Sequence, residues 1–149
     1  AAVSVEAMNG QYLLLQEVAS PRTLETVSIA TKQCFVRSFK EQLPIFFQSG
    51  AIVPLSRIQE GRYTEASFVF LPIEKSSAPG VVKLPAGRCA VTHHTGDYLS
   101  IGKAYERLLE YCHDHHLKIV SDAYEFAIND YLSTGNESEY ITKIMFYVE

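Results

Sequence analysis

The residue in this chain best placed to do chemistry is Glu125, which sits in Leu117–Val148 (LKIVSDAYEFAINDYLSTGNESEYITKIMFYV) among aromatic and aliphatic neighbours. The segment reads as two long strands joined by a polar turn. Alternation sends Tyr124, Phe126 and Ile128 to one side of the sheet and Glu125, Ala127 and Asn129 to the other. With the turn centred near Ser133–Gly135, Glu125 pairs close to Ile144, and the same face carries Tyr140, Thr142 and Phe146. Two environments fit this pattern. On a wet face Glu125 is an ordinary solvated acid. On the floor of a ring-walled pocket, an ionised carboxylate without a partner is costly, so it either takes up a proton or waits for a cation. A lipophilic cation supplies the charge and lays its rings on the aromatics.

Other reactive side chains form no comparable arrangement. Cys34, Cys89 and Cys112 are odd in number and lack CxxC spacing, which fits reduced thiols in a cytoplasm. Of the five histidines, His113, His115 and His116 cluster at a predicted helix end, where imidazolium complements the helix dipole. His93 and His94 lack companion donors, so no metal site is expected, and no cofactor motif is present. No GxSxG-type nucleophile motif occurs.

The elements that must position Glu125 are read from periodicity and turn signals. Gln11–Val18 and Leu24–Ala30 read as strands, the second from its alternation and β-branched content. Lys32–Gln48 reads as a helix with Phe35, Phe39, Leu43 and Phe46 on one stripe, kinked or divided at Pro44 and closed by Ser49-Gly50. Extended segments Ile52–Ile58 and Tyr63–Ile73 follow, joined by a turn at Glu60-Gly61, and Lys75–Gly80 is a connector. Arg88–His94 is a strand. Thr95-Gly96-Asp97 signals a helix start with Asp97 as N-cap. Tyr98–His113 is a helix whose Tyr98, Ile101, Tyr105, Leu108 and Cys112 make an amphipathic core face. The hairpin Ile119–Tyr131 with Glu139–Val148 closes the chain.

Strand, helix, strand, strand thus occurs twice. The expected fold is α+β: duplicated units side by side in one antiparallel sheet, two main helices on one face and a ligand groove between the halves. By that pseudo-symmetry Phe68 and Phe70 are candidates for the opposite pocket wall. At 149 residues the chain makes one domain, 1–149. Its net charge is −4 and its Lys and Arg are scattered, which argues against direct nucleic-acid or membrane-surface binding. No apolar run reaches transmembrane length. The Ala-Ala start fits a piece excised from something longer.

Two blocks resemble a known family. They are LPAGRCAVTHHTGDYLSIGKAYERLLEYCHDHHL at Leu84–Leu117, and KIVSDAYEFAINDYL followed by SEYITKIMFYV. The pattern is similar to the gyrase-inhibitor-like (GyrI-like) effector-binding domain, a small-molecule sensor fused to bacterial transcription regulators. Val120-Ser121-Asp122-Ala123-Tyr124-Glu125 matches the V-S-D-x-Y-E context of the pocket glutamate in MerR-type activators of drug efflux, and Tyr140 matches a pocket tyrosine on the partner strand. The resemblance implies a cytoplasmic sensor that binds hydrophobic, cationic or aromatic molecules at Glu125 and Tyr140; strand parity adds Ile144 and Phe146 as candidates, and pseudo-symmetry adds Phe68 and Phe70. It also implies a homodimeric full-length regulator that reaches DNA through a separate N-terminal domain. The helix-turn-helix and coiled coil of MerR regulators are missing from this chain, and several first-half ring positions are not aromatic, so a different ligand preference is expected. Two alternatives stay open: a hydrolase of reactive electrophiles using Glu125 beside Tyr140, and a stand-alone inhibitor that docks on a target protein.

Overall fold

The structure, a computed structural model, describes residues 2–131 and 133–149; Ala1 and Leu132, the latter within the second family-like block, lie outside the described residues. Eight strands, β1 (Ser4–Met8), β2 (Gln11–Glu17), β3 (Gly50–Val53), β4 (Phe68–Ile73), β5 (Val81–Leu84), β6 (Gly87–Thr95), β7 (Ala123–Asn129) and β8 (Ile141–Tyr147), form one antiparallel sheet in the order β1-β6-β8-β7-β3-β4-β2-β5. The helices are α1 (Leu24–Lys40), α2 (Leu55–Gln59) and α3 (Gly102–Asp114). The two units are β2-α1-β3-β4 and β6-α3-β7-β8. They meet at the β3–β7 seam with mirrored strand order, so the duplication expected from sequence is present as a pseudo-two-fold about that seam.

Two edge strands escaped the sequence reading, and they decide the shape. β1 and β2 lie towards opposite ends of the sheet, yet only Asn9-Gly10 joins them; Pro85-Ala86 likewise joins β5 to β6. Such a link spans about 11 Å at most. The sheet must therefore curl until its ends meet. The helix-free face becomes the inside of the curl, filled by Leu13, Phe70, Cys89, Val91, Phe126 and Met145. The outer face carries both long helices, with α1 over β2 and β4 and α3 over β6.

Several local expectations are corrected. Leu24–Ala30 is the start of α1, not a strand. Thr23 and Thr26 form a reciprocal capping box, and Ala30, Cys34 and Ser38 recur at helical spacing on the buried face. The stripe of Phe35, Phe39, Leu43 and Phe46 is not the core face, since Phe39 and Phe46 are exposed. α1 stops at Lys40, where Gln42 turns left-handed at φ 53°, so Pro44 lies beyond the helix and kinks nothing. Gly50 opens β3 instead of closing a helix. Ile52–Ile58 is mostly α2, and Tyr63–Ile73 becomes a strand only at Phe68.

Gly50 is required by the seam. A Cβ there would stand 2.3 Å from the Glu125 carbonyl oxygen and 2.2 Å from the Phe70 ring. Gly50→Ala must open the β3–β7 ladder or displace a buried ring. It is expected to cost about 2 kcal/mol, seen as a lower urea midpoint in chemical unfolding.

Candidate functional site

Register fixes what Glu125 faces. It pairs with Ala51 on β3 and Ile144 on β8, so its side chain leaves the sheet on the helix side at the seam. There the gap between α1 and the start of α3 forms a cavity of about 330 Å³, within the range that takes small molecules. Gly50, Ala51, Val69, Glu125 and Ala127 make its floor. Leu24, Val27, Ser28 and Thr31 of α1 make one wall; Tyr98, Tyr131, Tyr140 and Thr142 line the other side.

Glu125 is only 2 % exposed. Tyr98 donates its hydroxyl hydrogen to one carboxylate oxygen at 2.5 Å, and the Tyr105 hydroxyl donates to the other. Among the described residues no lysine, arginine or histidine forms an ion pair with it. Burial pushes its carboxyl up to about 7, although the two phenol hydrogen bonds pull the other way. Burial, reinforced by the adjacent carboxylate, lifts both tyrosines well above the usual phenol range, so they remain donors. The site thus holds a carboxyl raised to about 7 that opens on a cavity and has no counter-ion among the described residues.

The two phenols are held differently. Tyr105 is buried on α3, stacked 5.4 Å from Tyr63 and edge-on to Phe146 at 6.3 Å. Gly102 makes room for the Tyr63 ring, which would lie 2.8 Å from any added Cβ. Tyr98 lies on a 3-10 turn, Tyr98–Ser100, before α3 begins. Asp97 caps no backbone amide there; it accepts from the Ser100 hydroxyl at 3.0 Å. Buried His94 braces the same link, its Nε2 lying 2.9 Å from the Asp97 carbonyl and 3.1 Å from the Ser100 hydroxyl.

Of the residues expected from sequence, the structure brings Glu125 and Tyr140 together on the cavity. Ile144 and Phe146 share that face but are fully buried in the core beneath α3, Phe146 acting through its contact with Tyr105. Phe68 and Phe70 do not line the cavity. Ala51 pairs with Val69, which puts Val69 on the Glu125 face and both phenylalanines inside the curl. Tyr98 and Tyr105 were read from sequence only as helix core, and the α1 wall was hidden by the strand reading of Leu24–Ala30. A signal for the tyrosines existed, because a phenol on a buried face needs a polar partner and Glu125 is the acid that the hairpin turns inward. The described residues contain no group of three or more metal-ligating side chains.

The match to known proteins follows the same architecture. Residues 53–149 match the GyrI-like small molecule binding domain, and the chain belongs to that family. No curated protein sequence matches it. The fold is that of the EcmrR C-terminal domain, with a TM-score of 0.77 at 14% identity, covering 99% of this chain and 96% of that domain. In a DNA complex of EcmrR the chain spans 57% of the EcmrR length. SAV2435 bound to tetraphenylphosphonium is similar at TM-score 0.62 and 12% identity, over 100% of this chain and 94% of that one. A hydrolase from Listeria innocua is similar at 0.61 and 7%, over 99% and 92%.

Proposed function

We propose that this domain is a sensor for lipophilic cations, which enter the cavity between α1 and α3 and pair with Glu125. In a longer regulator, occupancy would be passed to a separate DNA-binding domain and the protein would act as a dimer. The observation that carries the reading is the buried carboxylate held by two phenols and, among the described residues, paired with no cation. Charge left uncompensated in such a place favours a positive guest over a neutral one of equal shape. The tetraphenylphosphonium complex of SAV2435 supports the ligand class, and the greater length of EcmrR in its DNA complex supports the regulator role. Among the described residues no helix is long and apolar enough to cross a membrane.

Calorimetric titration tests the reading. Tetraphenylphosphonium is expected to bind at pH 8 with at least about tenfold higher affinity than neutral triphenylphosphine oxide. Equal affinities, or binding of neither, would count against the sensor. The Listeria hydrolase supports a second reading, in which the protonatable Glu125 handles water at an electrophile. Time-dependent loss of an epoxide or activated ester, abolished by Glu125→Gln, would select it. Recovery of intact compound from a stoichiometric complex would remove it.

A further inference from the structure

α1 carries a second apolar surface, on the side away from the sheet. Ala30, Cys34 and Ser38 turn inward, while Ile29, Val36 and Phe39 are 47 %, 50 % and 59 % exposed. Steps of three and four residues put them on one outward stripe with Lys32, and exposed Glu25 and Lys40 stand at its two ends. Phe47, 66 % exposed, sets its ring 6.0 Å from that of Phe39 and widens the stripe. Its backbone is left-handed at φ 51°, a strained conformation for a bulky residue, so the fold holds this ring outward at a cost. Together the four side chains leave about 400 Å² of apolar surface open, the size at which a patch on a soluble domain marks an interface. That is about half of what each partner brings to a standard interface, which fits weak and reversible association.

The stripe is complementary to itself. When a second α1 lies antiparallel, with the two-fold axis level with the Lys32–Gln33 peptide, Ile29 comes level with the partner's Val36 and Glu25 with the partner's Lys40. Each contact then occurs twice, as an isologous pair requires. The two helix dipoles run in opposite directions, which also favours this arrangement. One group works against it. The two Lys32 ammoniums meet beside the axis and limit affinity, although their aliphatic stems can carry them towards solvent. A partner of a single charge sign would satisfy only one end of the stripe.

We infer that two copies of this domain pair through the outward face of α1, antiparallel across a two-fold axis near Lys32. Another side of the same helix is the cavity wall of Leu24, Val27, Ser28 and Thr31, so pairing buttresses that wall in both copies. The dimer proposed for a longer regulator thereby gains a surface within this domain, one that needs neither ligand nor DNA.

Sedimentation equilibrium of the ligand-free domain at low salt tests the pairing. A reversible dimer is expected, with a dissociation constant on the order of tens of micromolar. Glu25→Lys and Lys40→Glu should each weaken it about tenfold, since each sets like charges against one another at both ends. An equimolar mixture of those two variants should associate at least as tightly as the wild type, because the mixed pair matches opposite charges at both ends. Lys32→Gln should tighten the dimer about threefold by removing the repulsion beside the axis. Val36→Ser leaves every charge in place and should weaken it about tenfold; it carries the comparison if circular dichroism shows that a charge variant fails to fold. A domain that stays monomeric at about ten times the expected constant overturns the inference and leaves the stripe to an unlike partner. A dimer indifferent to all of these substitutions also overturns it, because the contact then lies elsewhere. Neither result bears on Glu125, whose cation selectivity is judged by the tetraphenylphosphonium titration, and failure of that titration leaves the α1 dimer standing.

Discussion

Glu125→Gln is expected to weaken tetraphenylphosphonium binding by about a hundredfold at pH 8 while leaving triphenylphosphine oxide within about twofold. Glutamine keeps the shape of the side chain and can hold both phenols. Its carbonyl accepts from one hydroxyl, and its amide donates to the oxygen of the other. The cavity floor therefore stays in place, and what disappears is the charge. In the wild type that charge lies in a low-dielectric site where no lysine, arginine or histidine among the described residues pairs with it, so the incoming ligand supplies its compensation. The same logic sets a pH dependence. With the carboxyl at about 7, protonation competes with the ligand on the acid side, and affinity should fall about tenfold per pH unit below neutrality and level off above it. The glutamine variant should show neither limb. Matched calorimetry on the two ligands across pH 5–9 measures both effects. A loss shared equally by the cation and the neutral compound would mean that Glu125 shapes the cavity and does not select charge.

How much of this site was legible in the chain depends on how local the governing constraint is. The orientation of Glu125 could be read because strand alternation and a hairpin turn act within about twenty residues; the expected Glu125–Ile144 pairing is the one formed. The face of Phe68 and Phe70 could not, because β4 inherits its parity from β3, and β3 from its pairing with β7 across the whole domain. Pseudo-symmetry alone leaves two parities open, and only these long-range pairings decide between them. LETVSIA carries the β-branched alternation of a strand, but the Thr23–Thr26 capping box and the Ala30–Cys34–Ser38 spacing make it the first half of a helix. Only as a helix do Leu24, Val27, Ser28 and Thr31 fall on one face and form the α1 wall. The α3 face was legible as a buried stripe, yet a stripe does not say which phenol oxygen reaches which acid. The edge strands β1 and β5 are too short to be seen by periodicity, although their two-residue links force the closure that buries the inner face.

The ligand-free domain should lose stability as pH rises through the interval in which Glu125 ionises in the folded state. Its folded carboxyl stands at about 7, against 4.5 for the ordinary group. Between those values the folded state binds more protons than the unfolded one, so the slope of unfolding free energy against pH is negative. Below about 4.5 both states are protonated and the residue costs nothing; above about 7 both are ionised and the full penalty is present. The difference corresponds to about 3 kcal/mol. Glu125→Gln, neutral throughout, should match the wild type near pH 4.5 and exceed its stability by that amount at pH 8, as read from urea midpoints with unchanged m-values. Saturating tetraphenylphosphonium should restore most of the lost stability to the wild type at pH 8 and little to the variant, because the ligand binds only the folded, ionised site. A wild-type profile that rises between pH 5 and 7, or a variant that is less stable at every pH, would show that Glu125 is a structural acid with its charge already compensated. The sensor would then lack the stored electrostatic cost that makes a cation its preferred guest.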